Sequence, residues 1–288
     1  MINQRFNLLW VFPRKLKTAI IRTANKTIIT RKGSIYMIYI LSSIGGGKSS
    51  LTKILSDTLD SNAYYERVDD MPMLKEYYSA GDASRKQLSF QLQIAFLNYR
   101  YTQLRHAIVE HNAVMDSSLL SDNIMASAIH KRGEMTDTAF DLYQNLSMNM
   151  NANVNGHEFH GFPDLIVYLD ISVDQEIDQI QQRGRDMEDI RKDPELVDYY
   201  HSINQAYKDW YDGYVQSPVL KIDMSETDFV NSLEDRTRVL TKIESRLIEL
   251  GMLNKTEQIN FEHKVFEMNH PQEHIIQMGK LEQTILDI

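Results

Sequence analysis

Residues 35–59 read IYMIYILSSIGGGKSSLTKILSDTL. Ile35–Leu41 is a short, continuous apolar run rich in β-branched and aromatic side chains, which predicts a buried strand. Ser49–Leu59 carries Leu51, Ile54 and Leu55 at helical spacing and predicts an amphipathic helix. Between them lie Ser42, Ser43, Ile44, Gly45, Gly46, Gly47, Lys48, Ser49 and Ser50. Small residues at such a turn let backbone N–H groups face inward onto phosphate oxygens, and the helix N-terminus adds positive potential. Lys48 can reach β- and γ-phosphates, and the Ser49 hydroxyl can ligate Mg²⁺. The pattern G-x-x-x-x-G-K-[ST] opens on glycine, and here Ser42 stands in that place. A flexible turn with an accidental lysine is the competing reading. GGGKS set between a strand and a helix argues for nucleotide binding instead.

Further strands alternate with helices. Ala63–Glu66, Ala113–Ser117, Leu165–Ile171 and Val219–Asp223 read as strands. Helical spacing marks Pro72–Tyr78, Ser84–His111, Leu119–His130, Thr136–Met150, Val173–Gln182, Pro194–Val215 and Asp228–Leu250, the last closed by Gly251. Five short apolar strands separated by helices predict a three-layer α/β fold: a five-stranded parallel sheet with helices on both faces. Ligands of such sheets bind beyond the carboxyl ends of the strands.

Three strand ends or their sequels carry chemistry. The second strand ends in Glu66-Arg67-Val68-Asp69-Asp70, the third in Asp116-Ser117-Ser118. Asp116 is placed to hold Mg²⁺ directly or through water. Arg183-Gly184-Arg185 follows the helix after the fourth strand, the pattern of an arginine lid over a transferring phosphate. Each has a blander reading: a solvated strand-end acid, or arginines answering a helix dipole.

The chain has 288 residues, no cysteine, and 31 Lys and Arg against 40 Asp and Glu, a net charge of −9. That composition is globular and excludes a disulfide scaffold, a thiolate metal site and a general nucleic-acid binder. No apolar run reaches the ~18 residues of a membrane span, so a cytoplasmic protein without membrane partners is expected. Residues 1–36 hold eight bases and no acid, leaving 37–288 at about −17. Residues 1–33 are therefore read as a basic leader, a targeting segment or a disordered extension upstream of an internal start at Met37. Residues 34–253 form the predicted domain, and 254–288 a polar, helical or disordered, solvated tail. Its His263, His270 and His274 do not make a metal site, since Pro271 interrupts any helix joining the last two.

From about Met37 to Leu253 the chain resembles the deoxyribonucleoside kinases, and within them the deoxyguanosine and deoxyadenosine kinases. The resemblance rests on SSIGGGKSSLT, YYERVDDMPML, FQLQIAFLNYR, MDSSLLSD, PDLIVYLDIS, QQRGRDME and WYDGYVQSPVLKID in that order. It implies transfer of the ATP γ-phosphate to a deoxynucleoside 5′-hydroxyl, with ATP and Mg²⁺ bound and a homo- or heterodimer formed through long helices. It assigns Glu66 as general base, Asp116 as the metal-site acid, and Arg183 and Arg185 as lid cations. Gln93, Arg100 and Asp122 would read the base, with Phe90 stacking on it. Tyr78 and Glu188 would hold the sugar 3′-hydroxyl, with Tyr77 a neighbouring candidate. The set leans toward a purine nucleoside.

Three positions depart from the family pattern. Ser42 replaces a loop glycine, Ser117 stands where an arginine is usual, and Gln179 stands where a further lid arginine is usual. Arg67 is a candidate replacement charge. A catalytically impaired nucleotide-binding subunit of a kinase complex is thus the alternative to an active enzyme. A nucleoside monophosphate kinase would need extra cations for its acceptor phosphate, which the acidic, Gln- and Tyr-rich region from Glu66 to Gln93 lacks. A GTPase base reader is missing too, because Asn25-Lys26 and Asn254-Lys255 lack the following Asp.

Overall fold

A computed structural model describes residues 36–66, 71–79, 82–110, 112–154 and 161–270. The basic leader, Arg67, Asp69, Asp70 and His274 lie outside them. In chain order the elements are β1 (Met37–Leu41), α1 (Lys48–Leu59), β2 (Asn62–Tyr64), α2 (Pro72–Ser79), α3 (Asp82–Ala107), β3 (Ala113–Met115), α4 (Leu119–Lys131) and α5 (Asp137–Ala152). Then follow β4 (Leu165–Asp170), α6 (Val173–Arg183), a 3₁₀ turn at Asp186–Glu188, α7 (Leu196–Gly213), β5 (Val219–Asp223), α8 (Leu233–Glu249) and α9 (Lys255–Asn269).

The five strands form one parallel sheet in the order β2-β3-β1-β4-β5. Alternate side chains of β1 serve two cores, as the two-residue period of a strand requires. Met37, Tyr39 and Leu41 pack with α3, α4, α5 and α7 through Leu97, Ile124, Tyr143 and Tyr200. Ile38 and Ile40 pack with α1, α8 and α9 through Leu55, Ile243 and Phe261. Helices therefore cover both faces, and the sheet's carboxyl edge is left for the site.

Element ends depart from the spacing in instructive places. β2 stops at Tyr64, so Glu66 lies two residues beyond it. α8 begins at Leu233 rather than Asp228, because Ser232 caps it by accepting the Asp235 N–H at 3.2 Å. Asp228 instead closes a turn, accepting the Asn231 N–H at 3.0 Å. Residues 255–269 form a packed helix, not a solvated one. Phe261 of α9 is 1% exposed, and Lys264 donates to the Asp57 carbonyl at 2.8 Å and pairs with Asp60 at the end of α1.

Candidate active site

β1 and β3 lie side by side at the centre, with Tyr39 opposite Met115. That register brings the 42–49 turn beside Asp116. Gly45 has φ +77°, and a Cβ there would come 2.8 Å from the Ile180 side chain, so only glycine lets the loop pass α6 in this conformation. The Ser42 hydroxyl is buried and donates to the Leu169 carbonyl of β4 at 2.9 Å. A Cβ on residue 46 would fall 1.9 Å from that hydroxyl, so Gly46 makes room for the serine that replaces the first glycine.

Lys48 folds over the loop and donates to the Ser43 and Ser42 carbonyls at 2.8 and 3.1 Å. Burial lowers its ammonium pKa, against the pull of Glu66, Asp116 and Glu176. The Ser49 hydroxyl donates to Asp116 Oδ2 at 2.6 Å. Asp116 Oδ1 accepts the Glu66 backbone N–H at 2.7 Å. One buried carboxylate thus ties the phosphate loop to the residue proposed as base. Burial raises its pKa. A hydroxyl and a carboxylate oxygen so close together are the hard donors Mg²⁺ takes alongside phosphate oxygens. Among the described residues no cluster of three His, Cys, Asp or Glu is placed to hold a metal.

Arg100 on α3 joins the acids of two elements. Its Nη2 donates to Glu66 Oε1 at 2.6 Å and its Nε to Asp122 Oδ1 at 2.8 Å. Burial alone would raise the Glu66 carboxyl, yet Arg100 and Lys48 together hold it below the ordinary carboxylate value. Past this pair the chain encloses a cleft of about 620 Å³, within the ~300–1,000 Å³ of small-molecule sites. It runs from the 44–50 turn past Glu66, Gln93, Arg100 and Asp122 to Tyr78 and Glu188. Gln93 Oε1, Arg100 Nη1 and Asp122 Oδ2 are buried with no protein partner among the described residues, so this end of the cleft is short of a donor and two acceptors' mates. Glu188 accepts from Arg183 Nη2 at 2.6 Å and lies 3.5 Å from Arg185 Nη1, which draws both arginines over the cleft wall.

Not every residue singled out from sequence lines this cleft. Phe90 does not; it is half-buried against the main core, and Phe96 is the α3 aromatic that faces the cavity, with the Arg100 guanidinium 5.2 Å from its ring centre. Ser43 turns its side chain away, toward α6. Ser117, Gln179 and Tyr77 do line it. The sequence reading missed Tyr199 and Tyr207 of α7 and Val230 in the turn before α8. It also missed Arg236, which holds that turn by donating to the Phe229 carbonyl at 2.8 Å.

Sheet order, phosphate loop and adjoining cleft define a P-loop phosphotransferase. The model of the deoxynucleoside kinase family matches residues 38–249, and the chain belongs to that family. A deoxyguanosine kinase of Lactobacillus johnsonii is 39% identical over 215 residues, covering 75% of this chain and 94% of the relative. A deoxyadenosine kinase of Lactobacillus acidophilus is 36% identical over 219 residues, 76% of this chain and all of the relative. Among solved structures, deoxyadenosine kinase from M. mycoides with bound dATP aligns with a TM-score of 0.57 and 27% identity, over 75% of this chain and 99% of that one.

Proposed function

We propose that this kinase moves the γ-phosphate of ATP to the 5′-hydroxyl of a purine deoxyribonucleoside. The observation that carries the reading is Asp116, which bonds both Ser49 of the phosphate loop and the backbone of Glu66. Donor and acceptor ends of the cleft therefore meet at one carboxylate. The loop N–H groups and Lys48 take the triphosphate. Glu66, kept ionised by Arg100 and Lys48, accepts the 5′-hydroxyl proton through Oε2 as the O5′–Pγ bond forms and the bond from Pγ to the bridging oxygen breaks, releasing ADP. Arg183 and Arg185 act as the lid cations, balancing charge on the transferring group. Bound Mg²⁺ would supply charge neutralisation for the transferring phosphate, and Ser49 and Asp116 are the residues that would hold it.

For the acceptor, Gln93 Oε1, Arg100 Nη1 and Asp122 Oδ2 offer two acceptors and a donor to a base edge. The relatives named above support a purine, since they are a deoxyguanosine and a deoxyadenosine kinase. Tyr78 and Glu188, which line the same cleft, take the sugar. The alternative, a nucleotide-binding subunit without turnover, draws on Ser117 and Gln179, which line the cleft where the family pattern has cations. Chromatographic analysis of reactions with ATP and deoxyguanosine or deoxyadenosine separates the two: the 5′-monophosphate is the expected product, and its absence with both nucleosides would favour the subunit.

A further inference from the structure

Behind the phosphate loop lies a carboxylate that the reaction does not use. Glu176 of α6 is 0% exposed. Its Oε2 accepts the Ser43 hydroxyl and, at 2.6 Å, the amide of Asn204 from α7. The Ile44 backbone N–H faces the same carboxylate. Asn204 Nδ2 also donates to the Ile171 carbonyl at 3.0 Å, where β4 runs into α6. One turn further along α6, Ile180 meets Gly45, and the helix ends in Arg183.

A buried acid is costly unless bonded, so an apolar residue would be the cheaper filler here. What this acid gains is a fixed distance between three elements. Ser42 moors the loop entrance to β4, and Ser43 moors it to α6 and α7. The loop residues that follow must then aim their N–H groups at phosphate from that moored entrance, and errors of an ångström in such aim are costly.

We propose that Glu176 is a positioning residue. By holding Ser43 and Asn204 it locks the phosphate loop to the helix that carries Arg183, so loop and arginines meet the triphosphate as one unit. The proposal rests on the nucleotide-binding reading of the loop. It assigns Glu176 to the ATP side of the reaction alone, because neither it nor its partners line the acceptor end.

The test measures ATP binding by calorimetry, and KM for ATP and for the deoxynucleoside, on the full chain and on Glu176→Ala, Glu176→Gln and Ser43→Ala. Glu176→Ala should weaken ATP binding about tenfold or more and raise KM for ATP likewise, leaving KM for the nucleoside within about twofold. Glu176→Gln should recover part of the loss, since its amide oxygen still accepts from Ser43. Equal rises in both KM values, or a lower melting temperature with ATP affinity intact, would overturn the proposal and leave Glu176 a packing residue. If Glu176→Ala fails to fold, Ser43→Ala decides: it removes one hydroxyl, and unchanged ATP affinity in it overturns the proposal. A wild-type chain that binds ATP but phosphorylates no nucleoside contradicts the proposed activity while the ATP comparison still stands. A wild-type chain that binds no ATP overturns both.

Discussion

Glu66 lies just past the end of β2, and its side chain is held by Arg100 while its backbone is held by Asp116. Two separate anchors give a side chain little freedom, which is what proton transfer in one direction requires. Glu66→Gln should keep the fold and nucleoside binding and lower kcat by ~10²–10⁴; steady-state kinetics checks this, and an unchanged kcat would make Glu66 structural. Burial raises the carboxyl pKa of Glu176 to about 7, with the Ser43 and Asn204 hydrogen bonds and Lys48 opposing. Between the ordinary carboxylate value and pH ~7 the folded chain then binds more protons at this group than the unfolded chain does, so its contribution to stability falls as pH rises. Urea unfolding at about pH 5 and about pH 7.5 should show Glu176→Gln gaining relative to wild type at the higher pH. A difference independent of pH would mean an ordinary carboxylate.

Elements explain what the sequence disclosed and what it hid. The phosphate turn and the acids at 66 and 116 were legible because a parallel sheet gathers the residues after its strands, whatever the details of packing. Sequence alone does not choose between Phe90 and Phe96, because a helix advances roughly 100° per residue. Phe90 and Phe96 lie some 60° to either side of Gln93, and only tertiary packing decides that the cleft takes the Phe96 side. Glu176 was hidden for a different reason. A Glu in a polar helix reads as solvated, and nothing local to VDQEIDQIQQR shows that Asn204, 28 residues on, buries it. The helical reading of the tail left the packing of α9 obscured by its polar composition, since a single Phe261 and a few half-buried neighbours make its apolar contact. Phe261→Ala should cost about 3–5 kcal/mol, read by denaturant unfolding. A loss below about 0.5 kcal/mol, the level of a surface change, would mean that α9 is not part of the core.

At the scale of the molecule, β1 joins everything. Its odd residues hold one core and its even residues the other, and its carboxyl end delivers the phosphate turn between them. One core brings α3 with Gln93 and Arg100; the other brings α1 and the turn at 229–230. The acceptor end and the donor end of the cleft thus belong to opposite sides of one strand. The proposed transfer needs both ends working together, and ADP release measures it directly. The full chain with ATP, Mg²⁺ and each of the four deoxynucleosides should release ADP fastest with deoxyguanosine or deoxyadenosine, and Lys48→Ala should release none. ATP bound by the wild-type chain with no ADP released for any of the four would contradict it.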